Sequence, residues 1–211
     1  MTDAATDPDR SMKSEELVFG RMDVGTVRRH STGWWGMATL IVTEAFLFAY
    51  LLFSYYYMAL HYGRDWLPAE LPSFHLSGPN TALLLLSSVA VWWGERGIKR
   101  GSRGVALIGL LLGIVMGAVF VGVQVVEWME KPYSYDTSSY GSLYFVITGF
   151  HMAHVVVGLL LLAPVTLWSA LGYFNPERHT PVAIAAIYWH FVDVVWLAVF
   201  FTFYITPYLG I

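Results

Sequence analysis

Five long apolar runs, separated by short polar stretches, organise this chain. They fall at about Trp34 to Leu60, Pro79 to Gly97, Val105 to Trp128, Ser142 to Trp168 and Pro181 to Tyr204. A helix needs about 20 predominantly apolar residues to cross a bilayer, and each run approaches or exceeds that length. The second is the shortest, and its strongly apolar part, Thr81 to Trp93, would be ambiguous alone. Its polar start and its place between two firm spans favour a crossing, and an even number of spans would spoil the charge pattern described below. The pattern therefore predicts an all-α, polytopic membrane protein of five transmembrane helices. The N-terminal stretch MTDAATDPDRSMKSEELVFG is polar and acidic, without an apolar core, so it predicts neither a signal nor a transit peptide. Two segments follow: a cytoplasmic tail over 1–33 and a five-helix membrane unit over 34–211.

Composition and charge sharpen this outline. Of 211 residues, 56% are hydrophobic and only 13% charged, against about 25% charged in average soluble chains. The mean hydropathy is +0.55. The chain has no cysteine, which removes disulfides, thiolate metal sites and cysteine nucleophiles. A formal net charge of -3 argues against a nucleic-acid surface. Arg10, Lys13, Arg21, Arg28 and Arg29 precede the first run, Arg96, Lys99, Arg100 and Arg103 separate the second from the third, and Arg178 lies between the fourth and fifth. The alternate side holds only Arg64 and Lys131. The asymmetry predicts a cytoplasmic N-terminus and an outside C-terminus. Tryptophans at the run ends (Trp34, Trp35, Trp92, Trp93, Trp128 and Trp168) fit two interfaces.

Two features concern packing and embedded polarity. Gly109, Gly113 and Gly117 recur at spacing four and form a smooth stripe where another backbone can come close. The stripe either packs this chain against itself or meets another subunit, and Gly149 and Gly158, with Ala153 between them, offer a second such surface. Glu44 lies ten residues past Trp34, roughly 15 Å deep at about 1.5 Å per residue, with no cation in its own run. It is either a neutral carboxyl bonded to another helix, or a group that exchanges protons or holds a subunit boundary. His151 and His154 share a face of the fourth helix, as His190 and Asp193 do of the fifth. An interhelical cluster of these four is the leading physical account of why they are tolerated, with His151 or His154 expected to meet His190 or Asp193.

Other chemistries fit less well. A haem held by two histidines usually draws on two well-spaced histidines on each of two helices, and pairs three apart do not give that pattern. No HExxH motif, nucleophile elbow, dinucleotide fingerprint or P-loop occurs. A small transporter would be expected to show an inverted repeat, and none is visible.

Several stretches together resemble subunit III of the haem-copper terminal oxidases, the cytochrome c and quinol oxidase family. They are WWGMATLIVTEAFLFAYLLF around Glu44, PNTALLLLSS with Asn80, VGVQVVEW with Gln124 and Glu127, GSLYFVITGFHMAHVVVG, and YWHFVDVVWLAVF. They stand in family order and cover nearly all of the chain past residue 33. The resemblance is to a short bacterial form without the first two of seven helices. Met152 stands where the family tends to have glycine. What the resemblance implies is an accessory role in the bacterial cytoplasmic (inner) membrane. Haem and copper would reside in partner subunits I and II and no metal in this chain. Subunit I would be its main partner, with a small subunit IV as a further candidate, and phospholipid would be bound. Glu44 would support proton uptake or a subunit interface. Asn80, Gln124, Glu127, His151, His154, His190 and Asp193 match recurring family positions. The alternatives are a subunit III-like protein of a quinol oxidase or nitric oxide reductase complex, or a stand-alone transporter or b-type cytochrome.

Overall fold

The structure, a computed structural model, describes residues 31–68, 72 and 74–209. Most of the segment expected to be a cytoplasmic tail lies outside the described residues. The rest forms five long helices: α1 (Thr32–Tyr62), α2 (Phe74–Lys99), α3 (Arg103–Glu130), α4 (Ser139–Ala170) and α5 (Thr180–Phe200). A short 3-10 turn, Gly63–Trp66, follows α1, and α5 continues through a π-helical turn, Phe201–Ile205, into a last turn, Thr206–Leu209. All five are long and apolar enough to cross a membrane, so the predicted all-α five-span bundle is what the chain forms. The first four helices outrun their apolar stretches, and α5 does so through its π-helical and last turns. Backbone hydrogen bonding continues into polar end residues that a count of apolar positions leaves out.

The ends are specified locally. Ser31 caps α1 by accepting from the Trp34 N–H, and Ser138 caps α4 by accepting from the Gly141 N–H at 3.0 Å. After α2, Gly101 takes φ 75°. Its N–H donates to the Ile98 carbonyl, and the Ser102 N–H reaches back to Gly97, both at 2.9 Å. That paired closure needs a left-handed residue, so glycine ends the helix. Gly172 closes α4 in the same way, at φ 83°.

Neighbouring helices in sequence run antiparallel. Along the α2–α3 hairpin, Gly97 meets Ala106, Gly94 meets Gly109 and Val91 meets Gly113. A Cβ on Gly109 would stand 2.5 Å from the Gly94 nitrogen, and one on Gly117 would stand 2.5 Å from the Trp189 ring. The glycine stripe is therefore spent inside the chain, on α2 at one end and on α5 at the other. Gly158 of α4 also receives Trp189, whereas Gly149 has nothing near its Cβ position. Consequently α5 is the centre of the bundle, and its Trp189 and Trp196 are fully buried. The indole of Trp189 donates to Ser87 at 3.0 Å and that of Trp196 to Thr81 at 2.9 Å, tying α5 to α2. By contrast, α1 lies on the flank and buries only Phe48, Tyr55 and Ala59. It runs parallel to α5, with Gly33 near Ile184 and Tyr56 bonded to Thr202.

Candidate functional site

The polar groups inside the bundle are divided among separate contacts. On the flank, α4 brings the His154 Nε2 to 3.1 Å from Oε2 of Glu44 on α1. The other imidazole nitrogen, Nδ1, lies 2.7 Å from the Phe150 carbonyl one turn back. Phe48 sits edge-on against the ring, with centroids 5.0 Å apart. Both nitrogens of His154 are thus engaged, and Glu44 finds in another helix the partner its own run lacks. The pair is only partly covered, with 29% of the Glu44 side chain and 15% of the His154 side chain exposed.

His151, one turn away, points inward. Its Nε2 donates to the Val192 carbonyl on α5 at 3.2 Å, and its ring lies against Trp196 and Phe120. His190 meets α2 instead, with Nδ1 2.5 Å from the Ser88 hydroxyl. Asp193 is 4% exposed, and its carboxyl faces the same Ser88 hydroxyl of α2. The expected single cluster of His151, His154, His190 and Asp193 is therefore not what these contacts form. The fourth and fifth helices do meet, but through an imidazole and a backbone carbonyl. His154 turns away to α1 and His190 to α2. Spacing along one helix fixes which side chains share a face but not which neighbour that face meets.

A fourth contact lies at the end of the bundle where α3 finishes. Glu127, 3% exposed, accepts from Lys131 Nζ at 2.9 Å and from the Tyr204 hydroxyl through the same Oε1. Tyr204 shares a hydrogen bond with Tyr144 at 3.2 Å. The Lys131 ammonium lies 5.4 and 5.5 Å from the centroids of these two tyrosine rings, a cation–π arrangement that helps hold a charge with little water. Gln124, one turn earlier, is buried, and Asn80 of α2 donates to the Phe120 carbonyl at 3.3 Å. Tyr133, on the connector beyond α3, packs edge-on against Tyr140 and Tyr144, and burial pushes its phenol above the usual tyrosine range.

Lys131 was not singled out as a site residue by the sequence reading, although its i,i+4 spacing from Glu127 was a usable signal. Tyr204, Ser87 and Ser88 left no such mark, because their partners are more than 70 residues away. Among the described residues, no group of three His, Asp or Glu side chains is arranged to hold a metal ion. A shallow groove of about 510 Å³ lies beside α1 and the start of α4, lined by Tyr50, Phe53, Tyr57, Met58 and Leu143 among others.

Comparison with known proteins adds a second line. A family model described as cytochrome c oxidase subunit III matches residues 12–208. Cytochrome c oxidase subunit 3 of Scyliorhinus canicula is 38% identical over 177 residues, covering 81% of this chain and 68% of that protein. The Danio rerio protein of the same name is 37% identical over the same shares. That of Artemia franciscana is 36% identical over 174 residues, covering 81% and 67%.

Proposed function

This chain belongs to the cytochrome c oxidase subunit III family, and on that premise we propose that it is a non-catalytic accessory subunit of a proton-pumping haem-copper oxidase. In this reading it flanks and stabilises subunit I, where haem and copper reside, with subunit II in the same assembly. The setting is the bacterial inner membrane, with the N-terminus inside as the basic residues imply. Residues 1–33 form the cytoplasmic arm and 34–211 the membrane unit. The observation that carries the reading is that the family match runs through all five helices. The polar contacts support it. His154 is engaged with Glu44, His151 with a backbone carbonyl, and Glu127 with Lys131 and Tyr204, a pattern suited to holding a shape. The groove beside α1 and α4 is apolar enough for a phospholipid chain.

The test is purification of the tagged full chain from its own membranes in mild detergent. Haem absorbance and copper are expected to elute with it at one equivalent of catalytic subunit per chain. Recovery of the chain alone, or with a complex free of both, refutes the proposal.

Within that complex Glu44 supports sustained proton uptake through its contact with His154. Glu44→Gln is expected to keep subunit retention within about twofold, because the amide N–H can donate to the His154 Nε2 of a ring whose Nδ1–H is held by the Phe150 carbonyl, at a typical net worth of about 1 kcal/mol. It is expected to shorten the time over which turnover holds its initial rate. Glu44→Ala removes the bond and leaves space, so retention should fall as well. Oxygen consumption and subunit stoichiometry, measured side by side, decide. Unchanged turnover and retention in both variants would reduce Glu44 to a packing residue.

A further inference from the structure

Toward the end of the bundle where α3 finishes, three buried acceptor atoms have no donor among the described residues: Oδ1 of Asn80, Oε1 of Gln124 and Oε2 of Glu127. Their residues are 3%, 1% and 3% exposed. Gln124 and Glu127 share one face of α3 with Phe120, over about 10 Å at about 1.5 Å per residue. Asn80 of α2 joins that face by donating to the Phe120 carbonyl at 3.3 Å.

The neighbouring donors are already committed. Lys131 Nζ and the Tyr204 hydroxyl both go to Oε1 of Glu127, the other carboxylate oxygen. With its hydrogen spent there, Tyr204 accepts from Tyr144 at 3.2 Å. The Tyr144 hydroxyl can then only accept from the Gln124 amide that it faces, through an N–H, so Gln124 Oε1 stays open. The nearby phenols are a different case. Tyr133 faces Tyr140 and Tyr55 faces Thr206, and a small rotation lets one hydroxyl serve another, whereas three acceptor oxygens cannot serve one another. A buried acceptor left without a donor loses its hydration and gains nothing for it.

We infer that this part of the bundle is an internal water-binding site, in which ordered waters donate to Asn80 Oδ1, Gln124 Oε1 and Glu127 Oε2. Buried waters sit where several polar groups of a chain converge, and because one water has two hydrogens to give, three acceptors take more than one. A metal cation fits less well, since the Lys131 ammonium already answers the Glu127 charge at 2.9 Å and would repel it. Apolar rings wall the site. Phe74 and Phe200 stand 6.4 and 5.1 Å from the Tyr204 ring, and Trp196 stands 5.0 Å from that of Phe120. Tyr204 itself lies on the π-helical turn, an irregularity frequent at functional sites. Water there solvates the Glu127–Lys131 pair from within. The site belongs to the chain itself and does not depend on the accessory role.

The test is radiolytic labelling of the full chain, purified in mild detergent with whatever it brings down. Brief X-ray pulses turn bound water into hydroxyl radicals that oxidise the side chains beside it, and mass spectrometry reads the products. Each rate is divided by that of the same residue in the denatured chain. Tyr144 and Tyr204 are fully buried, as is Trp189, whose indole is bonded to Ser87. The two tyrosines are expected to label at least fivefold faster than Trp189, and rates equal to that of Trp189 overturn the site. Gln124→Met keeps the length of the side chain and removes its acceptor and donor. It is expected to slow Tyr144 labelling at least threefold with Trp189 unchanged, and unaltered Tyr144 labelling also overturns the site. A density map of the unmodified protein decides without any variant. Water is expected within about 3.2 Å of two or more of the three acceptors, whereas Asn80, Gln124 and Glu127 bonded directly to one another refute the inference.

Discussion

Gly109→Leu is expected to abolish the folded bundle, and Gly109→Ala alone to cost about 3 kcal/mol, at the upper end for overpacking. The reason is geometric. The atoms within 2.7 Å of the added Cβ are all backbone of α2 (the Gly94 nitrogen and Cα and the Ala90 carbonyl oxygen), so no rotamer change relieves the clash. The α2–α3 hairpin would have to open along its length, taking Gly113 off Val91 and Gly117 off Trp189. Gly122→Ala is the matched control, because nothing lies within 4 Å of its Cβ position. In a helix interior that exchange should be neutral or stabilising by up to about 1 kcal/mol. Unfolding of the purified chain by titration with a denaturing detergent reads both. Equal stability of the two alanine variants would contradict the intrachain role of the stripe.

Glu127→Leu is expected to destabilise by about 3–5 kcal/mol, because it strands a largely buried ammonium. Lys131 is 9% exposed at its side chain and Glu127 4%, and Tyr204 loses its acceptor at the same time. Glu127→Gln should cost less, since the amide oxygen still accepts from Tyr204 and from Lys131. The double variant Glu127→Leu with Lys131→Met should recover most of the loss, because it removes both charges and keeps apolar volume beside the Tyr144 and Tyr204 rings. A double-mutant cycle on the same unfolding assay measures the coupling. Strict additivity of the two single changes would show that the pair contributes nothing as a pair.

The helices were legible because their signal is local. Membrane crossing depends on the length and apolarity of one segment, and the five runs carry both. Helix ends were legible only to within a few residues, since the Ser31 cap and the Gly101 closure extend the hydrogen-bonded backbone beyond the apolar stretch. The glycine stripe announced a close approach but not its partner. Gly94, which receives Gly109, lies in a run where the glycines do not repeat at spacing four.

The candidate site was half legible for the same reason. Sequence alone determined which polar side chains are embedded and which pairs share a helical face, because those follow from depth and from the 3.6-residue period. It could not determine their partners. Glu44 meets His154, His190 meets Ser88, and Glu127 meets both Lys131 and Tyr204. Only the Glu127–Lys131 contact lies within one helical turn. The others join segments 77 to 110 residues apart. Those distances are closed by the rotation of each helix about its axis, which is fixed by where Trp189 and Trp196 find room against glycine and hydroxyl positions of α2, α3 and α4. Periodicity sets a helix's faces, but the packing of large rings against small residues decides which neighbour each face meets.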